Sequence, residues 1–174
     1  MVCSPGRETD DKRKLTMKAR LRLIAMLVGV GLALGASADE LKTGDAVPVF
    51  SAKDQFGKDF KFEPGLHFLL LGFDMTTSKV ANHKLADLGA GWLEKQGAAY
   101  VLDIHTMPGI ARVFALPKMR KYPERIILGE EEKMLEPFPR QAERITVLVL
   151  TDDGKIKDVK YWNPESEALD SILK

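Results

Sequence analysis

His67-Phe68-Leu69-Leu70-Leu71-Gly72-Phe73 is an unbroken apolar run set between the turn residues Glu63-Pro64-Gly65 and the polar stretch Asp74-Met75-Thr76-Thr77-Ser78. A half-exposed strand alternates polar and apolar residues, so a run with no alternation reads as a strand buried on both faces. The polar stretch after it offers helix-capping side chains. Ala81, Leu85, Leu88 and Trp92 then recur at spacings of four, three and four, which places them on one helix face until Gly97 stops the helix. Strand followed directly by helix is the unit from which layered α/β structures are built.

The pattern continues on both sides. Upstream, Pro48 to Ala52 and the stretch through Phe60 and Phe62 read as two short extended pieces around a turn at Gly57. Downstream, Ala99 to Ile104 reads as a strand. A short helix follows, with Thr106 as N-cap and Pro108 near its first turn, running through Phe114 and ended by Pro117. Arg125 to Leu128 is a weaker strand, and the acidic, proline-broken residues 129–143 read as loop. Ile145 to Leu150 and Ile156 to Trp162 are strands joined by the hairpin turn Asp152-Asp153-Gly154. Asn163 and Pro164 open a last helix with Glu165 and Glu167 in its first turn. The expected fold is a single α/β domain over 39–174, with a mixed central sheet flanked by helices in three layers.

The first 38 residues read differently. Lys18, Arg20 and Arg22 precede an apolar run from Leu23 to Leu34, and Ala36-Ser37-Ala38 forms a small-x-small cleavage site. This is the layout of a secretory signal peptide over 17–38. The run of twelve residues is shorter than the roughly 20 needed to cross a bilayer. Residues 1–16 read as an upstream extension, with Met17 as the start. Cleavage after Ala38 removes 38 of 174 residues and leaves 136 with 19 basic and 22 acidic side chains, a net charge of −3. That balance disfavours nucleic acid and anionic membrane surfaces as partners. The expected location is periplasmic, without a stable membrane anchor. The single cysteine, Cys3, leaves with the export segment, so residues 39–174 hold no thiol.

Three stretches carry a resemblance to the redoxin and peroxiredoxin-like branch of the thioredoxin-like superfamily. Gly44-Asp45-Ala46-Val47-Pro48-Val49-Phe50 followed by Asp54-Gln55-Phe56-Gly57-Lys58 is similar to the redoxin opening, G-x-x-x-P-x-F then D-x-x-G-K. Leu69 to Phe73 resembles the strand that runs into the active-site helix. Arg144 to Ile156 resembles the late strand and hairpin. The resemblance implies a thioredoxin-like fold, but that helix opens with a nucleophilic cysteine in the family, and here the stretch is Asp74-Met75-Thr76-Thr77-Ser78. A serine hydroxyl ionises far too weakly to replace a thiolate. The family's cis-proline position aligns with Ile145. Thiol oxidoreductase and peroxidase chemistry is therefore excluded for the cleaved chain.

Three functional readings follow. The first is a non-catalytic binding or adaptor module for an unknown protein or small molecule. It would use the surface of Asp74, Met75, Thr76, Thr77 and Ser78, with Arg144 nearby and the free amides of a helix start available to an anion or partner group. Plain N-capping by Thr76, Thr77 or Ser78 is the competing explanation of the same residues. The second is a copper(I) carrier using His105 and Met107, with Met75 and His83 elsewhere, since imidazole and thioether suit that ion. Against it, Met107 reads equally well as a core residue beside Ile110 and Phe114. The third is an enzyme of unidentified type, for which no constellation argues: there is no G-x-S-x-G elbow, and His83 lies five residues from Ser78. The glycine series Gly29-Val30-Gly31 falls in the signal's apolar run rather than between a strand and a helix, so it marks no flavin or nicotinamide site. No cofactor is expected.

Overall fold

The computed structural model describes residues 39–174; the expected signal peptide over 17–38 and Cys3 lie outside the described residues. In chain order the described elements are β1 (Ser51–Asp54), β2 (Asp59–Lys61), β3 (Phe68–Gly72), α1 (Met75–Leu88), α2 (Trp92–Lys95), β4 (Ala98–Asp103), α3 (Gly109–Met119), β5 (Ile126–Gly129), β6 (Ile145–Leu150), β7 (Ile156–Trp162) and α4 (Leu169–Ile172). The strands form one sheet in the order β2-β1-β5-β4-β3-β6-β7. Helical crossovers separate β3 from β4 and β4 from β5, and these pairs are parallel, as only a crossover allows. The tight turns at either end make β1–β2 and β6–β7 antiparallel hairpins.

The apolar run of β3 sits at the centre. Leu70 belongs to one core, with Ala81, Leu85, Tyr100, Ile126, Val147 and Leu169. Its neighbours Leu69 and Leu71 point to the opposite core, with Val101, Ile127, Leu148, Phe62 and Phe138. The pleat turns successive side chains to opposite faces, so both faces need cover. All four helices contribute to the first core. The second is covered by the arm before β3 and by Leu135 and Phe138, so the third layer is built from non-helical chain. Each leucine so enclosed contributes about 2 kcal/mol from burial.

Three expectations are corrected. The helix after β3 does not run to Gly97: Gly89 (φ 91°) and Gly91 (φ 71°) take up left-handed backbone, ending α1 and leaving Trp92 to start the separate α2. Pro117 lies inside α3 rather than ending it, and Thr106 provides no cap. Pro117 has no amide to donate to the Val113 carbonyl, and both residues lie on the exposed side of α3. The loop expected over 129–143 is found from residue 130 onward, and Leu135 and Phe138 within it are fully buried. Asn163 and Pro164 open a turn instead of a helix. The Glu167 carbonyl, which a helix would use, accepts from the Trp162 indole at 2.9 Å, and α4 begins only at Leu169. Among the described residues, no helix is long and apolar enough to cross a membrane.

Candidate binding cleft at the start of α1

The sheet register explains which segments meet. Leu71 of β3 faces Thr146 of β6, and Ile145 faces Trp162 of β7. The chain leaving β3, the chain entering β6 and the chain leaving β7 therefore emerge side by side at one edge. Gly72 allows α1 to start this close: a Cβ there would lie 2.5 Å from Ser78 Oγ and 2.7 Å from Leu102 Cδ2.

Asp74 is the N-cap of α1, with extended backbone. Its Oδ1 accepts from the Thr77 amide at 2.8 Å and from the Thr77 hydroxyl at 2.9 Å. These two hydrogen bonds, the amide's first, hold the carboxyl below its ordinary value, more than offsetting the opposing effect of burial. The Ser78 amide donates to the Asp74 carbonyl at 2.9 Å. The carboxylate of the chain itself thus occupies the helix start that could have held a free anion. Capping is done by Asp74, not by Thr76, Thr77 or Ser78. Thr77 and Ser78 are buried, whereas Met75 and Thr76 face solvent.

Beside this cap opens a cleft of about 430 Å³ lined by Asp74, Thr76, Thr77, Ala142, Glu143, Asn163, Pro164 and Glu165. Its wall carries three carboxylates and no lysine or arginine. Glu143 stands at φ 58°, the one non-glycine among the described residues with left-handed backbone, a conformation that costs about 1 kcal/mol or more. Arg144 is not part of the lining: its guanidinium turns toward the Glu167 carboxylate at 3.5 Å.

A second polar group sits at the ends of β3 and β4. His105 Nδ1 lies 2.6 Å from Asp103 Oδ1, and the Arg140 guanidinium stacks over the Phe73 ring, 4.3 Å from its centroid. Met107 is buried in the helix-side core, while Ile110 and Phe114 are exposed, so Met107 packs without them. His83 meets Tyr122 at the surface. No group of three or more histidine, cysteine or acidic side chains suited to a metal occurs among the described residues.

No known family profile and no curated relative matches the sequence. Solved structures do match. A peroxiredoxin-like protein from Aquifex aeolicus superposes with a TM-score of 0.54 at 14% identity, covering 79% of this chain and 86% of its own. Peroxidoxin BcpB from Mycobacterium tuberculosis gives 0.52 at 19% identity, over 77% and 95%. The fold is thioredoxin-like. A thiol:disulfide interchange protein DsbE from Chlorobium tepidum, described as putative, shares it at 0.54 and 14% identity, over 76% and 95%. Within this thioredoxin-like chain, the segment that resembles the cysteine-bearing helix start holds Asp74, Thr76, Thr77 and Ser78 instead, and residues 39–174 contain no cysteine.

Of the residues singled out in the sequence, Asp74, Thr76 and Thr77 line the cleft and Met75, Ser78 and Arg144 do not; Glu143, Asn163 and Glu165 complete it. No local motif links these segments; only the β3–β6–β7 register does.

Proposed function

We propose that this protein is a non-catalytic thioredoxin-like binding module, exported to the periplasm, whose cleft at the start of α1 accepts a positively charged group of a partner protein or small molecule. The observation that carries this reading is Asp74. In place of a thiol, the helix start carries a carboxylate bonded to Thr77, next to an open cleft walled by Glu143 and Glu165. Three carboxylates near one another attract a basic side chain or amine and repel anions. Thiol–disulfide exchange and thiol-based peroxide reduction use a thiolate, and residues 39–174 contain no cysteine.

The test is a nitrogen–proton correlation NMR titration of the purified protein with short lysine- and arginine-containing peptides and, separately, with acidic ones. Basic peptides should shift the amides of Thr76, Thr77 and Glu143, and Glu143→Gln/Glu165→Gln should abolish the shifts. Saturable binding of acidic peptides alone, or turnover of a disulfide or peroxide, would refute the reading. Fractionation of cells that make the full chain tests export: the protein should be released with the periplasmic contents at the mass of residues 39–174.

A further inference from the structure

The cleft beside Asp74 has a neighbour. A second cleft of about 400 Å³ lies between the end of α1 and the chain leading into α4, with Lys84, Asp87, Leu88, Glu165, Ala168 and Asp170 in its walls. Glu165 lines both clefts, so they adjoin at its side chain. From α1, Thr77 lines the first cleft and Lys84 and Leu88 line the second. Their spacings of seven and four place all three on one face of the helix. The two clefts therefore form one groove along α1, beside residues 163–170. Asp74 and Asp87 are thirteen residues apart, or about 20 Å along the helix. An extended chain rises about 3.3 Å per residue, so about six residues span that length.

The groove's charges are one-sided. Asp87, Glu143, Glu165 and Asp170 are all exposed, and none has an ion-pair partner among the described residues. Lys84 is the one cation in the walls. Arg144, close by in the chain, is turned to Glu167 at 3.5 Å. The walls offer more than charge. Leu88, 40% exposed, and Ala168 give the far end an apolar step. Thr76 and Ser166 are exposed too, so their hydroxyls are open to the amides and carbonyls of a peptide backbone.

We infer that this groove binds an extended basic segment of a partner protein, about six residues long. One basic side chain lies beside Glu143 and Glu165, and a second beside Asp87 and Asp170. The inference rests on the reading of the first cleft as a site for a positive group, and it narrows the ligand to a peptide with two basic positions. A side chain that carries its charge on an aliphatic stem suits the far end, where the stem covers Leu88 and the charge reaches a carboxylate. A free polyamine matches the charges but leaves the hydroxyls without a backbone to bond.

Isothermal titration calorimetry of the purified protein with three probes tests this. They are a blocked hexapeptide with lysine at both ends and alanine between, a blocked tripeptide with a single lysine, and spermidine. The hexapeptide should bind about tenfold or more tighter than the tripeptide, because its second contact is tethered to the first. Asp87→Asn/Asp170→Asn should bring the hexapeptide down to the affinity of the tripeptide. Lys84→Ala, which removes the opposing charge, should tighten the hexapeptide about twofold or more, a gain that misfolding cannot produce. A hexapeptide no tighter than a tripeptide whose binding needs Glu143 and Glu165 would overturn the extended groove and leave the first cleft standing. Binding of neither peptide would overturn both. Spermidine binding as tightly as the hexapeptide would also overturn the inference, since charge alone would then suffice.

Discussion

The Asp74 carboxylate accepts two hydrogen bonds from one residue, the amide and the hydroxyl of Thr77, at 2.8 and 2.9 Å. That pair closes α1 at the place where the resembling family opens its helix with a thiol. One consequence is structural. An N-cap acceptor satisfies an amide that otherwise lacks a partner, and its removal costs about 1 kcal/mol. Asp74→Ala should lower unfolding stability by about that amount in urea titration, with an unchanged slope, while Asp74→Asn should lose less. Equal losses in both would mean that a neutral acceptor cannot serve and that the carboxylate's charge makes the cap, and no loss in either would mean that the side chain does not cap α1.

The second consequence is chemical. A cysteine at a helix start is ordinarily activated, because the helix favours the thiolate. Here the adjacent carboxylate and the burial of residue 77 both oppose that ionisation. Thr77→Cys should therefore give a sluggish thiol whose alkylation rises only above the ordinary thiol range. Asp74→Asn/Thr77→Cys should alkylate at lower pH. Rates of iodoacetamide labelling against pH measure both, and a fast single-variant thiol at neutral pH would show that the carboxylate does not control the site.

Asp54 makes the acid-side prediction. Burial pushes its carboxyl up, but the amide bonds from Lys58 and Phe56 and the 3.0 Å pair with Arg125 together outweigh that and hold it below the usual range. A depressed folded-state value means that the stabilisation is present above the unfolded-state pKa and is lost as pH falls through the folded one. Asp54→Asn should destabilise the protein by about 1–3 kcal/mol at neutral pH and by progressively less in acid. Melting temperatures of the two proteins should converge as pH falls; a constant gap would mean that Asp54 stays ionised throughout.

These sites differ in how far the sequence revealed them. The strands Ile145–Leu150 and Ile156–Trp162 could be read to the residue, because their apolar content and the Asp152-Asp153-Gly154 turn are local signals. The end of α1 was misjudged because the apolar spacing continues through Trp92 while the backbone at Gly89 and Gly91 does not. Pro117 reads as a stop because a proline removes a helix hydrogen bond, and its place on the exposed side of α3 is a tertiary fact. The cleft was half legible: Asp74 to Thr77 announce a helix start, but Glu143 and Glu165 join them only through sheet register.

Glu124 could not have been singled out from its neighbours in the chain at all. It is 3% exposed, and neither carboxylate oxygen has a hydrogen-bond partner among the described residues. Burial raises its pKa; its own backbone amide works against this and the charge of Glu94 adds to it. A raised folded-state value means that the protein is penalised as pH climbs: the neutral form is tolerated, and stability is lost as pH rises through the folded pKa. Replacing an unpaired buried ionisable group with an apolar one of similar volume removes that penalty. Glu124→Met should therefore be more stable than the wild type by about 1–3 kcal/mol at neutral pH, with little or no gain below pH ~4, where the unfolded carboxyl is also protonated. Urea unfolding of both proteins at acidic, neutral and mildly alkaline pH measures the difference. A gain that is the same at every pH would assign the benefit to packing, and a loss at neutral pH would mean that the ionised carboxylate has a stabilising partner after all.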